Sequence, residues 1–413
     1  MEEDMERDYE ASHPWITFQI DLRPASREFW IALGEAQSKC GHIARVPLRP
    51  DVADELHQVY LAKGIRATTA IEGNTLTERE VRDQIEGKLN LPKSREYLGR
   101  EVTNILHAAN AILNEIEELG PQPLTIDTLT RFNRMVLEKL TLDEGTIPGA
   151  IRTYPAGVGA YRCAPHEDCE YLLTKLCGWL NGPDFVPKPG YEMVYGIIKS
   201  IVAHVYFVWI HPFGDGNGRT ARLIEVKFLL AAGVPSAAAH LLSNHYNLTR
   251  SEYYRQLDQA SKTGGNIIPF IQYAVQGFVD QLREQINVIK YQQWQTSWLN
   301  YVHDVFDNPT TPAQRRQLRL IIDLSRAGGV VKKRDIARLT PELAENYAGK
   351  TPKTVTRDLN ALLKRDLIAR KEGGYQAKME KILAFLPRGK RDSGIEAGIK
   401  IKEDDSGQLS LLF

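Results

Sequence analysis

The chain has 413 residues, of which 43% are hydrophobic and 25% charged, and its 52 Lys and Arg balance its 52 Asp and Glu. That length allows two or three domains with a large core, and the composition is that of a soluble globular protein. Zero net charge singles out no partner, so any charged surface must come from local asymmetry.

The first residues, Met1 to Asp8, are acidic and lack the basic and apolar regions of a secretory signal. The longest apolar stretch, Ile197 to Ile210, contains Lys199 and His204 and reads as too short and polar to span a bilayer. Cys40, Cys163, Cys169 and Cys177 form no CxxC pair and read as free thiols in a reducing compartment. The expectation is a cytoplasmic protein with no membrane contact.

Leu56, Val59 and Tyr60 recur at helical spacing, so Ala53 to Ile71 reads as an amphipathic helix stopped by Gly73-Asn74. Glu72 falls in its last turn, where the helix dipole disfavours a carboxylate by a few tenths to about 1 kcal/mol. A broken local rule marks a functional residue; the alternative is a solvated surface Glu. Leu91-Pro92-Lys93 closes an N-terminal region, 1–95. A core domain, 96–290, opens on a long helix near Glu96 with Val102, Ile105, Leu106, Ala109 and Leu113 on one face.

An apolar helix from Val194 to Ile210 runs into His211-Pro212. Proline cannot extend the helix and disfavours helical geometry before it, so His211 is displayed at the helix end. Gly214, Gly216 and Gly218 follow, permitting backbone angles that turn N–H groups into one concavity. A helix resumes at Arg219, so this turn sits at a helix N-terminus, which favours phosphate. Arg219 and Arg222 share a face and suit a polyphosphate. Asp215 among phosphates makes sense if Mg²⁺ bridges them. His211 is the natural general base, and Phe213 anchors the loop.

A Gln-rich helix (Gln281 to Gln295) overlaps the end of this domain. A linker helix is read over 291–312, and Asn308-Pro-Thr-Thr-Pro312 marks a boundary. From Pro312 to Tyr375 there are 15 Lys and Arg against 7 Asp and Glu, a net +8. Helices are expected at 313–326, 332–339 and 352–364, the last opened by Thr351 and Pro352. Val355, Leu359, Leu362 and Leu363 form its buried stripe. Lys353, Thr354, Arg357 and Asn360 point outward as a groove-reading set. A Gly-Gly hairpin follows at Leu367 to Gln376. The order over 313–378 resembles a winged helix–turn–helix and implies DNA as a partner, with packing, dimerisation or protein binding as the other reading. The tail, 387–413, reads as disordered. Its end, Gln408 to Phe413, resembles the Gln-Leu-rich peptides that dock into the bacterial sliding clamp.

The segment His211-Pro-Phe-Gly-Asp-Gly-Asn-Gly-Arg-Thr-Ala-Arg222 resembles the signature of the Fic family, His-Pro-Phe-x-Asp/Glu-Gly-Asn-Gly-Arg-x-x-Arg, with no departure at a defined position. The resemblance implies a mainly α fold with a Fic helical core and a small β-hairpin flap. It also implies transfer of AMP from ATP to a Ser, Thr or Tyr hydroxyl of a target protein. In that reading His211 deprotonates the hydroxyl and Asp215 holds Mg²⁺. Gly216, Asn217 and Gly218 form the anion hole, and Arg219 and Arg222 grip the β/γ end. Thr69, Glu72, Thr220, Ala221 and Tyr254 complete the expected ATP set. Gly149 to Pro165 resembles the flap region, and Asn247 to Tyr254 the adenine-pocket stretch, with Tyr253 assigned to the core.

Thr68-Thr-Ala-Ile-Glu-Gly73 resembles the family's inhibitory motif, Ser/Thr-x-x-x-Glu-Gly/Asn. Thr68, Glu72 and Gly73 are its defined positions, and the resemblance implies that Glu72 pairs with Arg222 and misplaces ATP. It leaves open whether Glu72 acts within its own chain or across a homodimer. AMP removal as the main activity stays open as well. So does a DNA-binding regulator whose core only senses nucleotide.

Overall fold

The computed structural model describes residues 7–159 and 161–383, and beyond them the backbone of a strand pair. The chain divides into two compact units, Met1–Ile286 and Asn287–Phe413. The acidic residues 1–6 and most of the tail, with the side chains of Gln408 to Phe413, lie outside the described residues.

The first unit is helical. It runs through α1 (Asp8–Ser12), α2 (Arg27–Arg45), α3 (Pro50–Ala70), α4 (Glu78–Ile85), α5 (Glu96–Leu119) and α6 (Ile126–Val136). A small antiparallel hairpin follows, β1 (Gly157–Val158) with β2 (Tyr161–Arg162). Then come α7 (Cys169–Leu180), α8 (Glu192–Ile210), α9 (Asn217–Ala231), α10 (Leu241–Leu248), α11 (Arg250–Lys262) and the first part of α12 (Ile268–Phe306). Local chemistry sets many of these ends. Thr77 and Glu80 close a reciprocal capping box on α4, and the Ser26 and Thr125 hydroxyls accept from the first turns of α2 and α6.

Helix α3 starts at Pro50, three residues before the expected Ala53, because proline is well placed at a first helical position. It ends in a Schellman motif: Asn74 N–H donates to the Thr69 carbonyl and Gly73 N–H to that of Ala70, with Gly73 at φ +102°. The centre is α8 packed along α9, joined by the six-residue stretch 211–216. Ile197, Ile201, Val205 and Phe207 of α8 are fully buried. α8 is long and apolar enough by composition to cross a membrane. However, 67% of its most apolar stretch is buried inside the protein, as a core helix requires. The four cysteines are free and buried.

In the second unit, Trp298, Val302 and Phe306 of α12 pack with Leu320, Ile321, Leu324, Leu359 and Leu362. The expected linker helix, 291–312, is thus corrected. Its residues 291–306 continue α12 without a break, and their apolar face belongs to this core. α13 (Pro312–Arg326) and α15 (Pro352–Lys364) stand where expected, but 332–339 holds only a 3₁₀ turn, Ile336–Arg338. The helix forms instead at α14 (Pro341–Tyr347), because Thr340 caps it and Pro341 opens it. β3 (Ile368–Lys371) pairs antiparallel with β4 (Gly374–Ala377), and Val331 bridges Tyr375. The turn is Glu372-Gly373, with Gly373 at φ +89°, rather than Gly373-Gly374. In the tail, Ile401–Glu403 (β5) pairs with Leu409–Leu411 (β6).

Candidate active site

His211 caps the C-terminus of α8 in the left-handed region, φ 49°, so the proline rule correctly ends the helix there. Its position is fixed from outside the signature. Arg152, 4% exposed, donates from its guanidinium to the carbonyls of His211 (2.8 Å), Tyr154 (2.7 Å) and Ala164 (2.5 Å). Its N–H donates to the Pro212 carbonyl at 2.9 Å. The carbonyl of the residue that caps α8, together with two from the hairpin region, thereby gains a charged donor. Burial, and then the Arg152 charge, push the His211 imidazole down to about 4, while the Val208 carbonyl, Glu72 and Asp215 pull it up. The ring is therefore neutral at pH 7 and free to accept a proton.

The loop after His211 is closed by Asn217, whose Oδ1 accepts from Phe213 N–H (3.0 Å) and whose Nδ2 donates to the Phe213 carbonyl (2.7 Å). Phe213 is 1% exposed, as an anchor should be. Asn133 of α6 braces the loop from behind, donating to the Asp215 carbonyl at 2.8 Å and accepting from Gly149 N–H at 2.9 Å. The three glycines do different things. Only Gly216 needs a left-handed angle, φ +74°. A Cβ on Gly214 would stand 2.3 Å from Tyr154 Oη, and one on Gly218 2.3 Å from Glu72 Oε1. Neither takes a left-handed angle, which corrects the expectation that all three glycines serve backbone angles: Gly214 is hemmed in by Tyr154 and Thr146, and Gly218 lies against the end of the Glu72 side chain. The helix also resumes two residues early, at Asn217.

Both signature arginines are engaged by carboxylates. Arg222, 1% exposed, donates to Glu72 Oε1 at 2.5 Å and to the Thr68 carbonyl at 3.0 Å. Withdrawal from water would raise the Glu72 carboxyl, but Arg222 first, then Arg219 and His211, outweigh it and hold it below its usual range. Arg219 lies between Asp215, at 3.2 and 3.3 Å, and Glu101 of α5, at 3.1 Å.

Glu72, His211, Gly218, Tyr161, Tyr253 and Tyr254 line one cavity of about 410 Å³. Val158 at the tip of β1 lines it too, so the hairpin borders the chemistry. Tyr254 is 40% exposed, and its hydroxyl lies 3.4 Å from the Ile71 carbonyl. Tyr253, 2% exposed, is held from beneath: its hydroxyl meets His204 Nε2 at 2.9 Å, and Glu225 touches both His204 and the Tyr246 hydroxyl. A larger, more open cleft lined by Trp30 and Tyr191 lies elsewhere.

Of the expected ATP residues, Glu72, Gly218 and Tyr254 line the cavity, whereas Thr69, Gly216, Asn217, Arg219, Thr220, Ala221 and Arg222 do not. Thr69 turns its hydroxyl back to the Ile65 and Arg66 carbonyls, Thr220 meets Asn133, and Ala221 is fully buried in the core. Thr68 reaches the site through its carbonyl, and Gly73 through the cap that places Glu72. Arg152, Asn133, Glu101 and the His204–Glu225 pair were missed as site residues. Their partners are backbone carbonyls or side chains far off in the chain, which leave no local spacing to read. Asp215 keeps half of its side chain open (50%). Among the described residues no three His, Cys, Asp or Glu side chains converge on it. One carboxylate completed by substrate oxygens is how Mg²⁺ is ordinarily held, so the residues fit that ion together with a polyphosphate. In the second unit, Lys353, Arg357 and Asn360 are exposed and Thr354 half-buried. Asp358 is buried between them, on Arg316, Gln317 and Tyr347.

Residues 123–229 match the Fic/DOC family. The chain is 31% identical over 206 residues to the protein adenylyltransferase Fic of Nematostella vectensis, covering 50% of this chain and 44% of that one. It is 28% identical over 223 residues to the protein adenylyltransferase fic-1 of Caenorhabditis elegans, covering 54% and 41%. The matched region thus spans less than half the length of these curated relatives. Among solved structures, a Fic family protein from Desulfovibrio desulfuricans G20 shares the fold at TM-score 0.53 and 21% identity, covering 87% of this chain and 98% of that one. Residues 134–508 of Fic-1 from C. elegans align at TM-score 0.51 and 25% identity, covering 64% and 73%.

Proposed function

We propose that this chain, which carries a Fic/DOC-family domain at residues 123–229, transfers AMP from ATP to a hydroxyl of a target protein and is held back by Glu72. The observation that carries this reading is one cavity that holds a neutral His211 and the carboxylate occupying Arg222. His211 takes the proton of the incoming hydroxyl, whose oxygen attacks the α-phosphorus, and pyrophosphate leaves. The first-turn N–H groups of α9, which lack intrahelical acceptors, face the developing phosphate charge. Arg219 and Arg222 take its distal end. Asp215 would hold Mg²⁺, which neutralises phosphate charge when bound. The β1–β2 hairpin offers a strand edge for the target's backbone. Glu72 opposes all this by keeping Arg222 from the γ-phosphate.

The test is labelled-ATP incorporation by the Glu72→Gly chain in a lysate, with mass spectrometry of modified proteins. Incorporation above the parent supports the reading, and equal incorporation removes it. Removal of AMP by the parent from the proteins so modified would assign Glu72 to the reverse reaction. We read the protein as cytoplasmic from its composition, with one chain or a homodimer as the acting species.

A second reading concerns the second unit. The order α13, α14, α15 and then the β3–β4 hairpin supports a winged helix–turn–helix reading, and Lys353, Arg357 and Asn360 form an exposed row on α15. The net +8 of this segment supports duplex DNA as its partner. Binding of the full chain to duplex at increasing salt tests it.

A further inference from the structure

Glu101 is a half-buried carboxylate that no part of the signature mentions. It projects from α5, 16% exposed, and its two oxygens face different ways. Oε1 accepts from Arg219 Nη1 at 3.1 Å, and Oε2 accepts from Asn74 Nδ2 at 2.8 Å. Asn74 is itself fixed, donating to the Leu98 carbonyl (3.0 Å) and accepting from Leu76 N–H (3.0 Å). Glu101 is thus oriented by the turn that ends the brake helix, two residues after Glu72.

Arg219 is shared between two carboxylates of unlike character. Glu101 is 16% exposed, and Asp215 keeps half of its side chain open to solvent. One guanidinium between two carboxylates leaves one negative charge in excess, so either acid can be withdrawn without stranding Arg219. A divalent cation on Asp215 would compete with Arg219 for the same oxygens and repel it. Without Glu101, Arg219 would be 6% exposed with Asp215 as its sole carboxylate, and breaking that pair would be costly.

We propose that Glu101 is a positioning residue. It holds Arg219 at the phosphate cradle so that Asp215 can exchange its arginine for a metal ion as the nucleotide enters. This rests on the Mg²⁺–nucleotide reading of the site.

The experiment is calorimetric titration of ADP into the full-length Glu72→Gly chain with and without Glu101→Gln, in Mg²⁺ and again in EDTA. Loss of one charge-assisted hydrogen bond corresponds to roughly tenfold. Glu101→Gln should therefore weaken ADP about tenfold in Mg²⁺ and leave its affinity in EDTA unchanged or slightly tighter. An equal loss in both conditions would make Glu101 merely structural and overturn the proposal, as would no loss in either. Glu101→Asp keeps the charge but withdraws it by one methylene. It should give a smaller loss in Mg²⁺ alone, and it carries the test if the Gln variant does not fold. If ADP fails to bind the Glu72→Gly chain at all, the nucleotide reading falls and this proposal with it. If ADP binds and the metal-dependent loss is absent, only the role of Glu101 falls.

Discussion

Arg222 and Glu72 are 150 positions apart in the chain and 2.5 Å apart in space. In the proposed reaction a nucleotide's terminal phosphate would need the Arg222 guanidinium, so the pair would oppose it by charge rather than by bulk. Arg222 is 1% exposed, whereas Glu72 keeps 31% of its side chain open. The carboxylate is therefore the partner that can leave, and the arginine must be matched by something else when it does.

Glu72→Gly should raise AMP incorporation by about ten- to a hundredfold, the range of one strong charge-assisted contact. The same change strands Arg222, so the variant should melt at a lower temperature than the parent and regain more of that loss when ATP is added. Thermal melts with and without ATP read both effects. A variant that ATP stabilises no more than the parent argues against Arg222 as the phosphate partner.

His211→Ala should remove transfer by the Glu72→Gly chain while leaving its ATP affinity within a few fold, because the imidazole meets the incoming hydroxyl rather than the distal phosphates. Single-turnover assays paired with calorimetry separate the two quantities. Transfer that survives the substitution would take His211 out of the base role.

The pH dependence has a definite sign. The His211 imidazole sits at about 4 in the folded chain against the ordinary 6.5. Between those values the unfolded chain binds a proton that the folded chain does not, so this residue makes stability rise with pH across that window. For the reaction, kcat/KM of the Glu72→Gly chain should hold nearly level from pH 7 to below 6 and fall only as the pH nears 4 to 5. Removing Glu72 takes away one influence that raises the imidazole, so the limb does not move up. An acid limb near 6.5 would mean that His211 is hydrated like a free side chain.

Gly64 of α3 has a role the motif does not suggest. A Cβ there would fall 2.2 Å from His240 Cβ, where α3 packs on α10. Neither atom is the far end of a flexible chain, so Gly64→Ala should cost about 1–3 kcal/mol by overpacking. It should also push out the helix that carries Glu72. The expected result is a lower urea midpoint together with higher basal AMP incorporation. A lower midpoint with unchanged incorporation would show that the brake tolerates movement of α3.

Lys353→Glu and Arg357→Glu in the full chain should weaken duplex binding and flatten its dependence on salt, each by about one phosphate contact. Binding that ignores both substitutions would leave the basic segment to a protein partner.

Much of this protein is legible along the chain. Pro212 ends α8 and displays His211, Gly216 takes the left-handed turn, and Gly73-Asn74 closes α3 so that Glu72 emerges at its tip. Each of these depends on backbone angles set within a few residues, and local sterics act whatever the rest of the fold does. The same holds for α15, which begins at Pro352 as that proline foretells, although the Thr351 side chain makes no capping hydrogen bond. The helix expected at 332–339 failed for a related reason: a better capped start, Thr340-Pro341, lies just beyond it.

What the tertiary structure alone decided is who occupies whom. No spacing reveals that Arg152 caps the carbonyls around His211, that Asn133 braces the Asp215 loop, or that Glu101 takes half of Arg219. Nor does it reveal that the Tyr154 hydroxyl stands where a Cβ on Gly214 would go, or that the Glu72 carboxylate lies against Gly218. These contacts join segments tens of residues or more apart, and a carboxylate or a carbonyl looks the same in sequence whether it meets water or a guanidinium. The segment His211 to Arg222 sets out the chemical groups of the site. The helices that close around it determine that Arg222 faces Glu72, because only a packed interior takes the arginine out of water and brings the carboxylate into contact with it.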